Sequence, residues 1–254
     1  MSIINAYHPD SEPIIKASDL QPPIAGFPKT VVGSFKEIDP FLAPYDAQII
    51  EEAGHRLVAP VWRVNYKGSD IALFQARVGA PVTVAAMEKL RAMGAEQFLF
   101  YGYCGVLDRD IARGGILLPT AAYRDEGTSY HYALPDESYI TVPTAARLQE
   151  TLTELELPYT CTKAWTTDAF YRETRAAMEA RRAEGCGVVE MECAAIMAMA
   201  QFYGLPAYQF FFAEDCLDGE AWDRRNLGHV PQNEQARWLQ IALEVACQIE
   251  RRYT

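Results

Sequence analysis

Short apolar runs, each closed by a glycine, a proline or a polar cluster, alternate with longer amphipathic stretches along most of this chain. That rhythm predicts strands and helices taking turns. Thr30 to Gly33 is the first such run and Ile71 to Val78 the next, after which Gly79-Ala80-Pro81 turns into a helix over Val82 to Met93, with Gly94 as its stop. Gln97 to Tyr101, bounded by Gly102, follows at once. Strand, helix and strand in such close succession predict a right-handed crossover and a largely parallel sheet.

The pattern continues to the end of the chain. Ile116 to Ala122 reads as a strand, Arg124 to Tyr132 as a polar loop, and Pro143 to Leu155 as a helix with Thr141 near its cap. Tyr159 to Trp165 is the next strand, and the helix after it, with Arg175, Met178 and Arg181, keeps one solvated face. An apolar strand over 185–189 leads to a buried helix from Ala194 to Tyr203, closed by Gly204. Strand Ala207 to Phe212 precedes a last helix, Asn233 to Arg251, whose Trp238, Ile241, Val245 and Ile249 recur at helical spacing. Residues 1–30, rich in proline and polar side chains, read as an arm on a single α/β domain over 31–254.

Hydrophobic residues make up 50% of the 254 positions, enough for a sizeable core. The net charge of −11, without a basic run, offers no surface for nucleic acid, whose phosphates require cations. No apolar run is long enough to cross a membrane, and the start of the chain, with Asn5, His8, Asp10 and Glu12, lacks the pattern of an export signal. A cytoplasmic location is expected. The cysteines lack C-x-x-C or zinc-like spacing and read as buried thiols, while the histidines form no ligand set, so neither a metal nor another bound cofactor is expected. Cys104 lies in a Gly-x-Cys-Gly turn, but Val106 breaks the spacing of a nucleophile elbow.

The chemistry-bearing residues gather at strand ends. Glu190 and Glu192 flank Met191 where an apolar strand passes into a helix. A carboxylate there accepts two hydrogen bonds and can grip a vicinal diol, or it can simply complement the helix dipole. Asp215 follows the strand Ala207 to Phe212, and strand carboxyl ends are where ligands bind in open α/β sheets. Glu214, its neighbour, should point away if the strand stays regular.

The string Val188-Val189-Glu190-Met191-Glu192 resembles the E-M-E signature of the nucleoside phosphorylase family, which includes uridine phosphorylases, hexameric purine nucleoside phosphorylases and methylthioadenosine nucleosidases. Three further segments are similar in order: Gly79-Ala80-Pro81 through Gly102-Tyr103-Cys104-Gly105, Arg124 to Tyr132, and Thr166-Thr167-Asp168-Ala169-Phe170-Tyr171. The resemblance implies a three-layer fold with a central, mostly parallel but mixed twisted sheet flanked by helices. It implies cleavage of the N-glycosidic bond of a nucleoside, with Glu192 and Met191 at the ribose, Glu190 as the less direct partner, and Phe170 and Tyr103 at the base. Asp215 matches the aspartate that purine-cleaving members set against the purine ring, which favours a purine. Sites built across subunit interfaces imply a homodimer or a trimer of dimers.

The departure lies at the anion site. Where phosphorylases of this family carry G-D-P-x-R, an arginine and a Thr or Ser hydroxyl, this chain has Gly33-Ser34-Phe35-Lys36-Glu37, Phe100 and Tyr103. Arg56 resembles an arginine donated by a neighbouring subunit, and Lys36 and Arg77 are further candidate cations. Losing charge-assisted hydrogen bonds weakens phosphate as co-substrate and leaves hydrolysis, with Glu37 orienting water, beside phosphorolysis. A catalytically silent nucleoside-binding protein is the third alternative.

Overall fold

Runs of β-branched and aromatic residues form ten strands of one mixed sheet in the computed structural model, which describes residues 3–51, 60–112 and 115–253. In chain order they are β1 (Thr30–Ser34), β2 (Gln48–Glu51), β3 (Val61–Tyr66), β4 (Ser69–Gln75), β5 (Gln97–Val106), β6 (Ile116–Asp125), β7 (Tyr139–Thr141), β8 (Tyr159–Thr167), β9 (Cys186–Glu190) and β10 (Ala207–Cys216). The helices are α1 (Ala17–Leu20), α2 (Ala80–Met93), α3 (Ala145–Glu154), α4 (Arg175–Ala183), α5 (Cys193–Phe202) and α6 (Gln232–Tyr253). Strands β1 and β9 are buried throughout, and β5 and β10 nearly so, which is why they read as continuous apolar runs. Helix α5 is buried from Cys193 to Ala200 and carries no polar face, whereas α6 buries one stripe through Leu239, Leu243, Ala246 and Ile249.

Two sets of strands run in opposite directions. β4, β1, β5 and β10 are parallel to one another, as are β6, β8 and β9. Short antiparallel joins connect the sets: Gly105 and Val106 of β5 face Val189 and Val188 of β9, and Phe211 of β10 faces Leu117 of β6. The sheet thereby closes on itself through β5, β10, β6, β8 and β9. The carboxyl ends of β5, β9 and β10 meet at Gly105, which pairs with both Val189 and Asp215.

Several boundaries differ from the sequence-based expectation. Strand β4 ends at Gln75, so residues 76–79 form a turn that faces the site. Thr141 belongs to β7; α3 begins after Thr144, whose hydroxyl donates to the carbonyl of Ala207 instead of capping the helix. The segment read as a polar loop is in part the end of β6, and the buried Arg124 there donates to Ser129 Oγ and to the carbonyls of Leu134 and Glu137. β2 and β3 were not anticipated; they extend the sheet beyond β4 as an antiparallel edge. In the arm, Phe27 is buried near the end of α2 and Tyr7 meets Phe202 edge-on. Among the described residues no helix is long and apolar enough to cross a membrane.

Candidate active site

Glu190 closes β9 one turn before α5 begins. Its carboxylate accepts the backbone N–H groups of Glu192 (2.8 Å) and Cys193 (2.7 Å) and the hydroxyl of Thr166 on β8, so it satisfies the orphan donors at the head of α5. For Glu190 the helix-capping reading is the one its contacts support. Glu192 does something else. Its carboxyl accepts the N–H of Gly79 (2.5 Å) from the turn before α2 and lines a cavity with Met191. Burial pushes both carboxyls above the usual range, and the repulsion of Glu190 raises Glu192 further.

Asp215 and Glu214 reach the same cavity together. Ala213 of β10 pairs with Cys104 and Asp215 with Gly105, which leaves Glu214 as an extra residue in a bulge. A regular strand would have turned Glu214 away; the bulge breaks the alternation and brings both carboxyls inward. Lys36 answers Glu214, with Nζ 2.9 Å from Oε1 and 3.9 Å from the centroid of the Tyr103 ring, and Gly228 N–H donates to the same oxygen (3.1 Å). Asp215 accepts the indole N–H of Trp222 (2.6 Å), a residue on the segment after β10. Burial raises the Asp215 carboxyl above its ordinary range while that hydrogen bond opposes the shift.

Gly105 makes this crossing feasible. A methyl group there would lie 2.8 Å from Leu217 Cδ1, 3.0 Å from Val189 Cγ1 and 3.1 Å from Asp215 Oδ1. The Leu217 side chain can swing aside, but the strand partner and the carboxylate have less room. Gly105→Ala is therefore expected to lower stability by about 1–3 kcal/mol, as overpacking does, and to displace Asp215 enough to slow turnover ~10- to 100-fold. Thermal unfolding and turnover of the purified variant check both; unchanged turnover would mean that Asp215 has no strict position to keep.

The cavity is a trough of two joined depressions of about 320 and 200 Å³ that share Phe170, Glu173 and Asp215. Trp222, Tyr171 and Met178 line the first, and Glu192, Met191, Tyr103 and Lys36 the second. Phe170 is 42% exposed and touches Tyr171 edge-on at 4.8 Å, so one ring face is available to a ligand. Asp168 stays out of the trough and accepts Gly127 N–H, which ties the loop after β6 to the end of β8.

The structure thus gathers Glu190, Met191, Glu192, Phe170, Tyr103, Lys36 and Asp215 around one trough. It leaves two sequence-predicted residues outside. Glu37 is exposed and absent from the lining, because the chain after Lys36 turns to bury Ile38 instead. Arg77 is exposed, and its only described polar contact is its carbonyl accepting the hydroxyl of Thr83. Arg56 lies outside the described residues. Phe100 is fully buried against Phe35 and Phe74, and its ring covers Gly33 so closely that a methyl group there would meet it at 2.6 Å. Two lining residues, Glu173 and Trp222, carry no signal in the sequence: neither lies on a periodic element. Among the described residues no group of three or more His, Cys, Asp or Glu side chains could hold a metal ion. The Cys104 thiol is buried, pushed well up, and donates weakly to the carbonyl of Phe212 (3.7 Å).

A family profile described as "Phosphorylase superfamily" matches residues 30–253. Over 149 residues the chain is 30% identical to a guanosine phosphorylase of Halorubrum lacusprofundi, a match covering 56% of this chain and 60% of that protein. It is 28% identical over 191 residues to a uridine phosphorylase of Thermococcus kodakarensis, covering 66% and 67% of the two chains. A DeoD-type purine nucleoside phosphorylase of Brevibacillus brevis is 25% identical over 163 residues, covering 61% and 68%.

Proposed function

This chain belongs to the phosphorylase superfamily, and from that premise we propose that it cleaves the N-glycosidic bond of a purine-type nucleoside with little dependence on phosphate. The observation that carries the reading is that Glu192 and Met191 line one depression together with Phe170 and Asp215, which stand where it meets the second. Glu192 accepts the sugar hydroxyls and, as an anion, favours the positive charge that builds on the ring in the transition state. In the free site burial and Glu190 favour its protonated form; two donors from a vicinal diol draw it back to the carboxylate. Phe170 offers a flat apolar face to the base, and Asp215 holds the ring nitrogen that receives a proton as the bond breaks. The purine preference draws support from Asp215 and from a relative named for guanosine.

The acceptor of the sugar follows from the charges in the trough. Among the described residues its cationic lining consists of Lys36 and Arg175, and both are engaged: Lys36 by Glu214, Arg175 by the carbonyls of Gly219 and Glu220. Phe100 fills the space over Gly33. Each charged hydrogen bond to an anion contributes about 1.5–3 kcal/mol, so a clamp reduced in this way holds phosphate weakly and water attacks the sugar instead. Phosphorolysis is the second reading, favoured by the names of the relatives. Incubating the protein with purine and pyrimidine nucleosides, with and without phosphate, separates the two. Free sugar and free base formed at nearly the same rate in both conditions is the expected result; sugar 1-phosphate formed at a rate that saturates with phosphate would establish phosphorolysis, and no base release from any nucleoside would leave a binding protein.

A further inference from the structure

Glu173 is a carboxyl in the middle of the trough that the reading above does not use. It ends the short turn Phe170–Arg172 and lines both depressions alongside Asp215. Its backbone N–H donates to the carbonyl of Phe170 (3.3 Å), yet no described group donates a hydrogen bond to its carboxyl oxygens. Asp215 is in the opposite situation: Trp222 Nε1–H occupies Oδ2, and Oδ1 rests against the open face of Gly105. One carboxyl of the pair is therefore provided with a donor that favours its anion, and the other is provided with none.

We propose that Glu173 and Asp215 act as a pair holding a single proton, in which Glu173 is the positioning residue that keeps Asp215 supplied with the proton given to the departing base. This rests on the N-glycosidic reading and deepens it. As the C1′–N bond breaks, its electron pair stays on the base nitrogen, which takes the proton from Asp215; Asp215 regains one from Glu173. Water adds its oxygen to C1′ and returns a proton to the pair, so that nucleoside and water become free sugar and free base with the pair restored.

The surroundings agree with that division of labour. Glu214 shares β10 with Asp215, and Glu190 and Glu192 stand at the head of α5, so the carboxyls lining the trough with Glu173 outnumber the cations. Of those cations, Lys36 is neutralised by Glu214 and Arg175 is turned to the carbonyls of Gly219 and Glu220; the charge of Arg225, which is not part of the lining, favours the Asp215 anion. Burial and the charge of Asp215 push the Glu173 carboxyl up to about 7. Pairs whose environments drive their proton affinities apart are a recurring arrangement for acid–base work.

The test compares an ordinary purine nucleoside with one alkylated on the imidazole ring, whose base leaves without a proton. In the wild-type protein the ratio of kcat/KM on the ordinary substrate to that on the alkylated one should fall as pH rises through neutrality. Glu173→Gln should move that fall toward acid by about one pH unit or more, costing ~10-fold on the ordinary nucleoside above neutrality and little on the alkylated one. Trp222→Phe, which removes the donor to Asp215, should move it toward alkali. A second readout needs no turnover: in infrared difference spectra Glu190 and Glu192 contribute equally to both proteins, so subtracting the Glu173→Gln spectra from those of wild type should leave one protonated carboxyl band that is lost near neutrality. A protein that cleaves no nucleoside but shows this band would overturn the proposed function and leave the pair standing. Identical pH profiles and spectra in wild type and Glu173→Gln would overturn the pair, whatever the protein cleaves.

Discussion

Glu192→Gln is expected to lower kcat/KM for nucleoside cleavage at least ~100-fold, a loss of about 2.7 kcal/mol of transition-state stabilisation. The fold should survive, because the amide oxygen can still accept the N–H of Gly79 that now binds the carboxyl. Stability should hold or rise slightly, since the substitution removes one of two buried acids that repel each other. The loss therefore isolates what the charge does for the sugar. Steady-state kinetics beside a thermal melt measures both sides of the claim, and near-normal turnover in a folded variant would remove Glu192 from the reaction.

Asp215→Asn should be equally severe on ordinary purine nucleosides, ~100- to 10,000-fold in kcat, because a proton donor is replaced by a group that cannot give one up. Asparagine keeps an oxygen for the Trp222 indole and adds little volume beside Gly105, so displaced neighbours cannot account for the loss. The contrast between substrates carries the argument. A nucleoside whose base is already a good leaving group should lose far less, since its departure needs no proton. Losses of equal size on both would assign Asp215 to positioning the ligand instead of protonating it.

Most of the fold was legible because burial writes itself into the order of residues. β1, β5, β9 and β10 are covered on both faces, which forces continuous apolar runs; α6 is covered on one face, which forces a helical stripe. β2 and β7 escaped because their runs are short, and β3, which meets β4 across the turn at Lys67 and Gly68, buries Val61, Trp62 and Val64 without a regular two-residue alternation, so no local period sets them apart from loop. The strand expected to reach Val78 stops at Gln75 because its partner β1 ends at Ser34; Ala76 N–H makes the last bond to that strand, at Ser34 O, and the chain then turns toward the site.

The site divides along the same line. Alone, the sequence determined that Glu190, Met191 and Glu192 sit at a strand-to-helix turn, that Asp215 ends a strand and that Phe170 follows another, because each position depends on element boundaries that local composition fixes. Which of two neighbouring glutamates caps the helix and which faces the ligand depended on where the backbone N–H groups of Glu192, Cys193 and Gly79 point, a matter of three-dimensional geometry. Glu214 joined the site through a bulge, and Glu37 left it because Ile38 had to be buried. Glu173 came to Asp215 from a segment far away in sequence and Trp222 by the return of the irregular segment just after β10; packing creates both approaches and leaves no trace in local order.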